Sequence, residues 1–442
     1  MGGHRDAKVV IIGCGIAGIA AAQKLVKAGF HHVRILEATG RSGGRIKTGR
    51  ISRELNAEDI LPAQKLFLEL INESSDFQSQ RGEPWPSVGD FLRAQVQQHA
   101  AEKWKDVDEA TRSLRLCVIS NMLKVECCVN GTHSMDEVSM GAFGLYKTLP
   151  GLDCTFPGGY EGLTQNLIEE LPAGLVTYNK PVRCVNWNSA KSAEPVMIEC
   201  DDGQKLVADH VIVTVPLGYL KKHHSTLFHP PLPLHKLLSV QRLGFGTNNK
   251  IFVEFDSPWW DADCEVIFFV WDDEDAVVDQ VPDVQTSWIK KLFGFTVLKP
   301  TERHGHLLCG WISGHESEYM ETLSEQQVTD AITQLIRRFT GNPIITPRRI
   351  LRSQWFHDPW TCGSYSNLGK GCSEQDLDNL MEPLPPKGSK SQPLQVLFAG
   401  EATHHCYFST VHGAVLTGWR EADRLISHYS LITPSEFPKS KF

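Results

Sequence analysis

The sequence predicts an α/β fold that opens with a dinucleotide-binding unit. Val9, Val10, Ile11 and Ile12 follow one another without polar alternation, which is typical of a buried parallel strand over Lys8–Ile12. Three glycines follow within the next six residues, and Ile19–Ala28, rich in Ala, Leu and Lys, predicts a helix that ends near Gly29. Val33–Leu36 predicts a second strand. Strand, glycine turn, helix and strand in this order are the opening of a Rossmann-like fold.

The glycine turn has the spacing that a pyrophosphate requires. In Gly13-Cys14-Gly15-Ile16-Ala17-Gly18 the first glycine permits the tight turn and the second permits close backbone approach. The third lets helix and strand pack closely, and the helix N-terminus, with Ile16 and Ala17, faces the phosphates. Glu37 ends the second strand, 19 residues past Gly18, where a carboxylate can accept hydrogen bonds from a ribose. A glycine turn without a ligand is the alternative, and this context argues against it.

The remaining elements alternate helical and extended patterns. Helical patterns dominate Ala63–Leu123, with a break at Pro84–Pro86. A polar, Pro-rich loop is predicted at Pro383–Pro393. The predicted strands are Val182–Val185, Met197–Cys200, Val207–Val215, Lys250–Phe255, Val266–Trp271 and Leu394–Ala399, and the later helices are Glu325–Thr340 and His412–His428.

Composition excludes some classes of protein. The chain has 442 residues, a length that favours two domains, and its net charge of -8 gives no reason to expect a nucleic-acid partner. Apolar runs fall short of the ~18–20 residues of a membrane span, so we expect no membrane partner. Twelve cysteines without a CxxC pair favour scattered, reduced thiols, and we expect no metal.

Further motifs resemble those of the flavin amine oxidase family. Gly43-Gly44-Arg45 would be a surface loop on its own, but the run from Glu37 to Arg45 resembles the family's second flavin fingerprint, in which Gly44 approaches phosphate closely and Arg45 pairs with it. Phe398-Ala-Gly-Glu-Ala-Thr403 and Thr410-Val-His-Gly-Ala414 resemble its C-terminal flavin motif. The resemblance implies FAD, a ribityl or pyrophosphate contact at Gly400-Glu401, and ring contacts for the Thr410 and Val411 amides.

The resemblance covers Val9 to Leu425 and is closest to the peroxisomal N-acetylpolyamine oxidases. The segments that carry it are Glu126–Met135, Leu149–Cys154, Gly158–Leu163, Lys180–Val182, Thr214–Gly218 and Leu243–Ile251. It implies that the Val182 backbone meets adenine. It also implies the amine oxidase fold: an FAD-binding Rossmann-like domain (residues 1–50, 151–235 and 345–442) with an inserted α+β substrate-binding domain (residues 51–150 and 236–344).

Residues of the expected active site lie in the second half of the chain. Lys250 follows Asn in Asn-Lys-Ile, where the resemblance implies a lysine that holds a water against flavin N5; the alternative is a snorkelling strand lysine. Asn248 would face the same side of a strand, either as a substrate contact or as a turn residue. The resemblance puts Trp355 at the flavin and Tyr365 at the flavin face beside the substrate nitrogen, although core packing is the usual place of such aromatics.

Ser364 bears on how the cofactor is held. Monoamine oxidases carry a cysteine at the position that Ser364 occupies, and its thiol binds the flavin covalently. Serine cannot form that bond, so we expect non-covalent FAD.

One stretch departs from the family. After Gly-Gly-Arg45 the family continues into a strand and a Gly-rich stretch that covers the flavin and lines the amine tunnel. Here the chain passes from Gly49 into a helical pattern, and no glycine occurs between Gly49 and Gly82. We interpret this as a missing segment, and the family's tunnel histidine and aromatic have no counterpart in this chain.

The resemblance implies oxidation of N-acetylated spermine and spermidine at a secondary amine, giving an aldehyde, a shorter polyamine and hydrogen peroxide. Free spermine as the substrate is the alternative within the class, and a non-catalytic flavin-binding isoform is the alternative outside it. The chain ends in Ser440-Lys441-Phe442. This tail is either a weak variant of the Ser-Lys-Leu peroxisomal address, read by an import receptor, or an arbitrary basic tail of a cytoplasmic protein.

Overall fold

A computed structural model describes residues 7–14, 16–38, 57–77, 86–150, 159–188, 195–274 and 283–432. The chain divides into two compact units, and each is discontinuous in sequence. The first unit comprises Met1–Lys47, Tyr146–Gln241 and Glu374–Phe442. The second comprises Thr48–Leu145 and Arg242–Ser373.

Both units contain helices and strands. In chain order the helices are α1 (Ile16–Lys27), α2 (Ala57–Asp76), α3 (Val88–Lys103), α4 (Glu109–Asn130), α5 (Met140–Phe143), α6 (Gly159–Glu169), α7 (Leu217–Leu227), α8 (Leu234–Arg242), α9 (Val284–Ser287), α10 (Thr301–His304), α11 (Gly314–Thr322), α12 (Glu325–Thr340), α13 (Glu374–Met381) and α14 (Val411–Ile432). The strands are β1 (Lys8–Ile12), β2 (His32–Leu36), β3 (Val176–Thr177), β4 (Val182–Asn186), β5 (Val196–Cys200), β6 (Lys205–Ala208), β7 (His210–Val213), β8 (Phe228–His229), β9 (Gly244–Gly246), β10 (Asn248–Phe255), β11 (Val266–Phe268), β12 (Gly294–Val297), β13 (His306–Ser313), β14 (Arg349–Arg352), β15 (Tyr365–Asn367) and β16 (Val396–Phe398).

The first unit is built on a parallel sheet. Its strands lie in the order β16-β7-β1-β2-β3, and the pairs along this order are parallel. β1 is central, and its residues 9–12 are buried, as a strand covered on both faces should be. The unit also holds a sheet of order β6-β5-β4-β8. The family fold expected from the sequence places a nucleotide at such a parallel sheet.

Helices α1 and α14 pack closely beside this sheet. A Cβ atom at Gly418 of α14 would overlap the carbonyl oxygen of Ala17, and one at Gly18 of α1 would overlap the carbonyl oxygen of Gly13. Glycine is therefore required at both positions, because any side chain would push the two helices apart or push α1 from its turn. Ala17, Ile19 and Leu25 of α1 share one core with Ala422 and Leu425 of α14.

Buried Lys236 of α8 stabilises the end of α13. Its Nζ donates to the carbonyl oxygens of Asn379 (2.5 Å), Leu380 (2.9 Å) and Glu382 (2.7 Å), and it lies 4.3 Å from the ring centroid of Phe398. The last carbonyl groups of a helix have no intrahelical donor, so a cation that reaches them satisfies several at once. This contact fixes the end of α13 beside β16, which leads into the Gly400 turn.

The second unit is built on an antiparallel sheet of order β11-β12-β13-β10-β14. The buried face of β10 carries Ile251, Val253 and Phe255, which pack with Ile332 and Ile336 of α12. α12 begins at a capping box formed by Ser324 and Gln327 and ends at Gly341, whose φ is +66°. A helical cluster of α2, α3 and α4 forms a separate core of this unit.

Residues 345–373 differ in placement from the sequence-based division, which gave them to the FAD domain. They belong to the second unit because β14 pairs with β10 and β15 pairs with β9. The predicted strand Val207–Val215 is two strands, β6 and β7, since the chain leaves one sheet at Asp209 and enters the other. Within the described residues, no helix has the length and apolar character to cross a membrane.

Candidate active site

The carboxyl ends of four parallel strands bring the predicted nucleotide residues of the first unit to one edge. In sheet order, β16 leads to Gly400, β7 to Thr214, β1 to Gly13 and β2 to Glu37. Parallel strands end at the same side of a sheet, and ligands of open α/β sheets bind in the crevice outside those ends. We call Gly13, Glu37, Thr214, Gly400 and Glu401 the cofactor edge.

Gly13 makes the turn from β1 into α1. Its φ is +105°, and a Cβ atom there would lie 2.7 Å from Thr214 Oγ1. The Gly13 N–H donates to the carbonyl oxygen of Leu36 (2.7 Å), and Thr214 Oγ1 donates to the carbonyl oxygen of Ile12 (2.8 Å). The predicted role of Gly13 as the residue of the tight turn therefore has a conformational basis and a steric one.

Glu37 lies at the end of β2 with its carboxylate directed to the glycine turn. Its Oε2 accepts a hydrogen bond from the N–H of Cys14 (2.7 Å). Its carbonyl oxygen accepts from the N–H of Lys180 (2.9 Å), which brings the segment before Val182 beside Glu37. Val182 is buried as the first residue of β4. Two of the residues predicted to contact the nucleotide therefore lie on neighbouring segments.

Gly400 and Glu401 follow β16. Gly400 has a φ of +129°, and its N–H donates to Thr417 Oγ1 of α14 (2.9 Å). Glu401 is buried, and its Oε2 accepts from the N–H of Ser409 (2.7 Å), the residue before Thr410. Thr410 precedes α14 and Val411 is its first residue, and the first N–H groups of a helix have no intrahelical acceptor. The two predicted flavin-contacting amides are thus at a helix N-terminus.

The cofactor edge fits a dinucleotide. It combines a turn that excludes a side chain, a carboxylate beside that turn, and helix N-termini, which are the groups that hold pyrophosphate and ribose. Among the described residues, no group of His, Cys, Asp and Glu has the geometry of a metal site. The predicted contacts Gly15, Gly44 and Arg45, and the side chain of Ile16, lie outside the described residues.

The second unit holds a separate cluster at the C-terminal end of α4. Gly131 caps this helix with a φ of +64°, and its N–H donates to the Cys127 carbonyl. The next carbonyl, that of Cys128, accepts from the Tyr365 hydroxyl and from Asn248 Nδ2 (3.1 Å). A Cβ atom at Gly131 would lie 2.6 Å from the Tyr365 ring, so glycine is needed for this contact. The structure therefore brings Asn248 and Tyr365 together, as their predicted substrate roles require.

Asn248 has one unused polar atom in this cluster. Its Nδ2 also donates to the Tyr365 hydroxyl (2.6 Å), and its main chain exchanges hydrogen bonds with Ser364 Oγ, both at 2.8 Å. Its Oδ1 is buried and has no hydrogen-bond partner within the part of the chain that the structure describes. An unpaired buried carbonyl oxygen costs about 1–3 kcal/mol, so it marks a position where a donor is expected.

Lys250 lies on the same face of β10 as Asn248. Burial along β10 alternates, with residues 248, 250, 252 and 254 partly exposed and the residues between them buried. Lys250 pairs across the sheet with Trp311. Burial raises the pKa of the Cys309 thiol to about 12, and the nearby charge of Lys250 acts in the opposite direction on that pKa. The side chain is half-buried and directed away from the apolar core. Trp355, predicted to contact the flavin, is also half-buried and belongs to the second unit.

Residues of the cluster that sequence reasoning missed are Gly131 and Cys128. The signal for Gly131 is its place after a helical pattern, where a left-handed glycine cap is common. Cys128 acts through its main-chain carbonyl, so its residue type carries no signal.

Comparison with known proteins shows which family the chain matches. The chain matches the family described as flavin containing amine oxidoreductase over residues 16–126 and 97–426. It is 43% identical over 491 residues to a peroxisomal N(1)-acetyl-spermine/spermidine oxidase of Bos taurus, covering 96% of this chain and 95% of that protein. The protein of the same name from Homo sapiens is 42% identical, with 95% of each chain covered.

A solved structure of a putrescine oxidase double mutant resembles this fold. It has a TM-score of 0.63 and 19% sequence identity, covering 96% of this chain and 99% of that chain. The alignment with the bovine relative spans 491 positions, more than the 442 residues present here, so that relative has residues that this chain lacks.

We predict that Glu37→Ala weakens flavin retention. Glu37 is the carboxylate beside the glycine turn, and loss of a hydrogen bond to a charged group, about 1.5–3 kcal/mol, corresponds to roughly 10- to 150-fold weaker binding. The flavin-to-protein ratio after gel filtration measures this. Glu199→Ala, which removes a strand carboxylate from the other sheet of the first unit, is the matched control and should keep the wild-type ratio. Equal ratios in wild type and Glu37→Ala would contradict the ribose role.

Proposed function

The chain belongs to the flavin-containing amine oxidoreductases, and from this premise we propose that it is an FAD-dependent polyamine oxidase. The proposed substrates are N-acetylated spermine and spermidine. Oxidation at a secondary amine would yield an imine, which hydrolyses to an aldehyde and a shorter polyamine, while oxygen is reduced to hydrogen peroxide.

The observation that carries this proposal is the unpaired Oδ1 of Asn248. A secondary amine can donate an N–H to this oxygen, which lies on the residue that also contacts the Tyr365 hydroxyl. The cluster stands at the C-terminal end of α4, where the helix dipole is negative and stabilises positive charge. An amine, whether protonated or carrying only a partial positive charge on its N–H, is the kind of group that these oxygens favour.

The cofactor edge supports FAD as the oxidant. Glu37 would accept from the ribose, the turn at Gly13 would approach the pyrophosphate, and the N-termini of α1 and α14 would stabilise its negative charge. When bound, FAD supplies the two-electron acceptor chemistry that amine oxidation requires. Ser364 is committed to the main chain of Asn248 and has no thiol, which supports non-covalent binding.

The substrate class rests on the relatives. Both mammalian proteins are named for N(1)-acetylated spermine and spermidine, and this chain matches nearly their whole length. Free spermine is the alternative substrate. A non-catalytic flavin-binding isoform is the alternative function. The lack of a counterpart to the family's Gly-rich stretch after Gly49 favours this alternative.

We predict that purified protein with bound flavin loses its visible absorbance on anaerobic addition of N1-acetylspermine, more rapidly than with spermine. In air the same mixture should release peroxide and an aldehyde.

A chain with the relatives' residues restored after Gly49 should bind more flavin and turn over faster. A higher rate with spermine would identify the alternative substrate, and bound flavin that no polyamine bleaches, in either chain, would identify a non-catalytic protein.

We predict that Lys250→Met keeps bound FAD and slows amine oxidation. Methionine preserves the length and apolar stem of the side chain but removes the charge and the donor, so no amine remains at this position to hold or move a proton. Loss of one such group in a transition state is worth about 10- to 1000-fold. Rapid-mixing absorbance measures the anaerobic and aerobic rates separately.

The control for this variant is Lys205→Met, because Lys205 is an exposed strand lysine of β6. Its rates should match the wild type. Unchanged rates in Lys250→Met would contradict the catalytic role and identify Lys250 as a strand lysine that only extends to solvent. Loss of FAD from that variant would indicate a structural role.

We also propose peroxisomal delivery through Ser440-Lys441-Phe442, which lies outside the described residues. A fluorescent protein fused in front of the chain should form puncta with a peroxisomal marker, and Phe442→Leu should sharpen them because it creates the Ser-Lys-Leu address. Lys441→Glu is the control and should be diffuse. Diffuse fluorescence with the native tail and with Phe442→Leu would remove this tail as an address.

A further inference from the structure

The face of β10 opposite to Asn248 and Lys250 carries a buried polar residue, Asn249. It is fully buried, and each polar atom of its amide has protein partners. Its Nδ2 donates to Ser317 Oγ (2.9 Å) and to Glu321 Oε1 (2.6 Å) of α11. Its Oδ1 accepts from Ser353 Oγ (2.8 Å) and from the N–H of Trp355 (3.3 Å). The amide therefore connects α11 to the segment that follows β14.

Glu321 is the charged end of this network, and its side chain has no exposed surface. Its Oε1 also accepts from the N–H of Phe356 (2.9 Å), while its Oε2 accepts from the N–H of His357 (2.9 Å) and lies 2.8 Å from His357 Nδ1. An isolated buried carboxylate would be costly, and these donors offset that cost. One carboxylate thus binds two consecutive main-chain amides directly after Trp355.

The network has a direction that Glu321 and the Trp355 N–H set together. A carboxylate can only accept hydrogen bonds and a main-chain N–H can only donate, so Asn249 must turn its NH2 group to Glu321 and its oxygen to Trp355 and Ser353. Ser353 Oγ uses its proton on that oxygen and accepts from the N–H of Lys250 (2.9 Å). The orientation of one amide thereby couples Glu321 to the main chain of Lys250 and of Trp355.

We propose that Glu321 is a positioning residue, which through Asn249 fixes the Lys250 main chain and the Trp355 segment for amine oxidation. This inference rests on the proposed function for its kinetic consequence, and on the hydrogen bonds of the second unit for its structural one. Glu321 touches neither reacting group, so its effect on the rate is exerted through the placement of Lys250 and Trp355.

The test is a cycle of three variants. In Glu321→Gln one of the two accepting oxygens becomes an NH2 group, so the network loses either the bonds from Asn249 Nδ2 and the Phe356 N–H or the bond from the His357 N–H. In Asn249→Asp two carboxylates face each other. In the double variant, the introduced aspartate accepts from the introduced glutamine and from Ser317, Ser353 and Trp355. The bond between positions 249 and 321 then runs in the opposite direction, every donor that faces position 249 has an acceptor, and the network again carries a single negative charge.

We expect each single variant to keep bound FAD and to lose about 10- to 100-fold in kcat, with a smaller change in KM, because small displacements of catalytic groups act on the chemical step. The double variant should recover most of kcat. Recovery should be incomplete because the NH2 group of the introduced glutamine cannot accept the hydrogen bond from the Phe356 N–H. A double-mutant cycle measures this coupling, because the losses in kcat of the two single variants should not add when both substitutions are present. Glu325→Gln, exposed at the start of α12, is the control and should match the wild type.

Hydrogen–deuterium exchange gives a readout that is independent of turnover. The amides of Phe356 and His357 should exchange faster in both single variants and return towards wild type in the double variant. Unchanged exchange over residues 353–365 in Glu321→Gln, or a double variant no better than the worse single one, would overturn the proposal. If wild type with bound flavin oxidises no acetylated polyamine, the proposed function fails, and the exchange cycle alone decides the role of Glu321.

Discussion

Side-chain alternation along β10 is the constraint on which the chemistry of the second unit depends. Asn248 and Lys250 face one side of the sheet, and Asn249 and Ile251 face the other. A register shift of one residue would turn Lys250 into the core that holds Ile251, Phe295 and Ile332, where an unpaired ammonium is costly. Pairing with β13 on one side and β14 on the other prevents that shift. Two adjacent asparagines therefore have different surroundings, Asn248 beside the Tyr365 hydroxyl and Asn249 in the buried network with Glu321.

The first unit achieves its arrangement by main-chain geometry more than by side chains. Parallel register aligns the ends of β16, β7, β1 and β2, so residues from distant parts of the sequence meet at one edge. The side chains there are mostly engaged in holding the turns: Thr214 contacts the Ile12 carbonyl, and Glu401 contacts the Ser409 amide. The Glu37 carboxylate, which accepts from the Cys14 N–H, and the helix N-termini are the groups suited to ribose and phosphate, which matches the needs of a dinucleotide.

Sequence reasoning succeeded where the deciding physics is local. The glycine turn, the position of Glu37 and the shared face of Asn248 and Lys250 follow from spacing along a few residues. It failed where hydrogen-bond partners are distant in sequence. The hydroxyl of Tyr365 donates to a carbonyl 237 positions earlier, and the amide of Asn249 donates to Glu321, 72 positions later. The apolar run Val207–Val215 predicted one strand, but Asp209 bonds to the main chain of Lys8 and divides the run between two sheets. No periodicity within the run indicates that division.

The stretch without a counterpart after Gly49 affects the two halves of the chemistry unequally. The cluster proposed to contact the amine is built from α4, β10 and β15, whose residues are joined by the Cys128 carbonyl, the Tyr365 hydroxyl and the Asn248 amide. None of these bonds uses a residue near Gly49. The cofactor edge, in contrast, includes Glu37, which begins the segment that the sequence predicts to be the second flavin fingerprint, immediately before the departure. The hydrogen bonds of the cluster proposed to contact the amine are therefore independent of that stretch, whereas Glu37, proposed to contact the ribose, precedes it closely in the sequence.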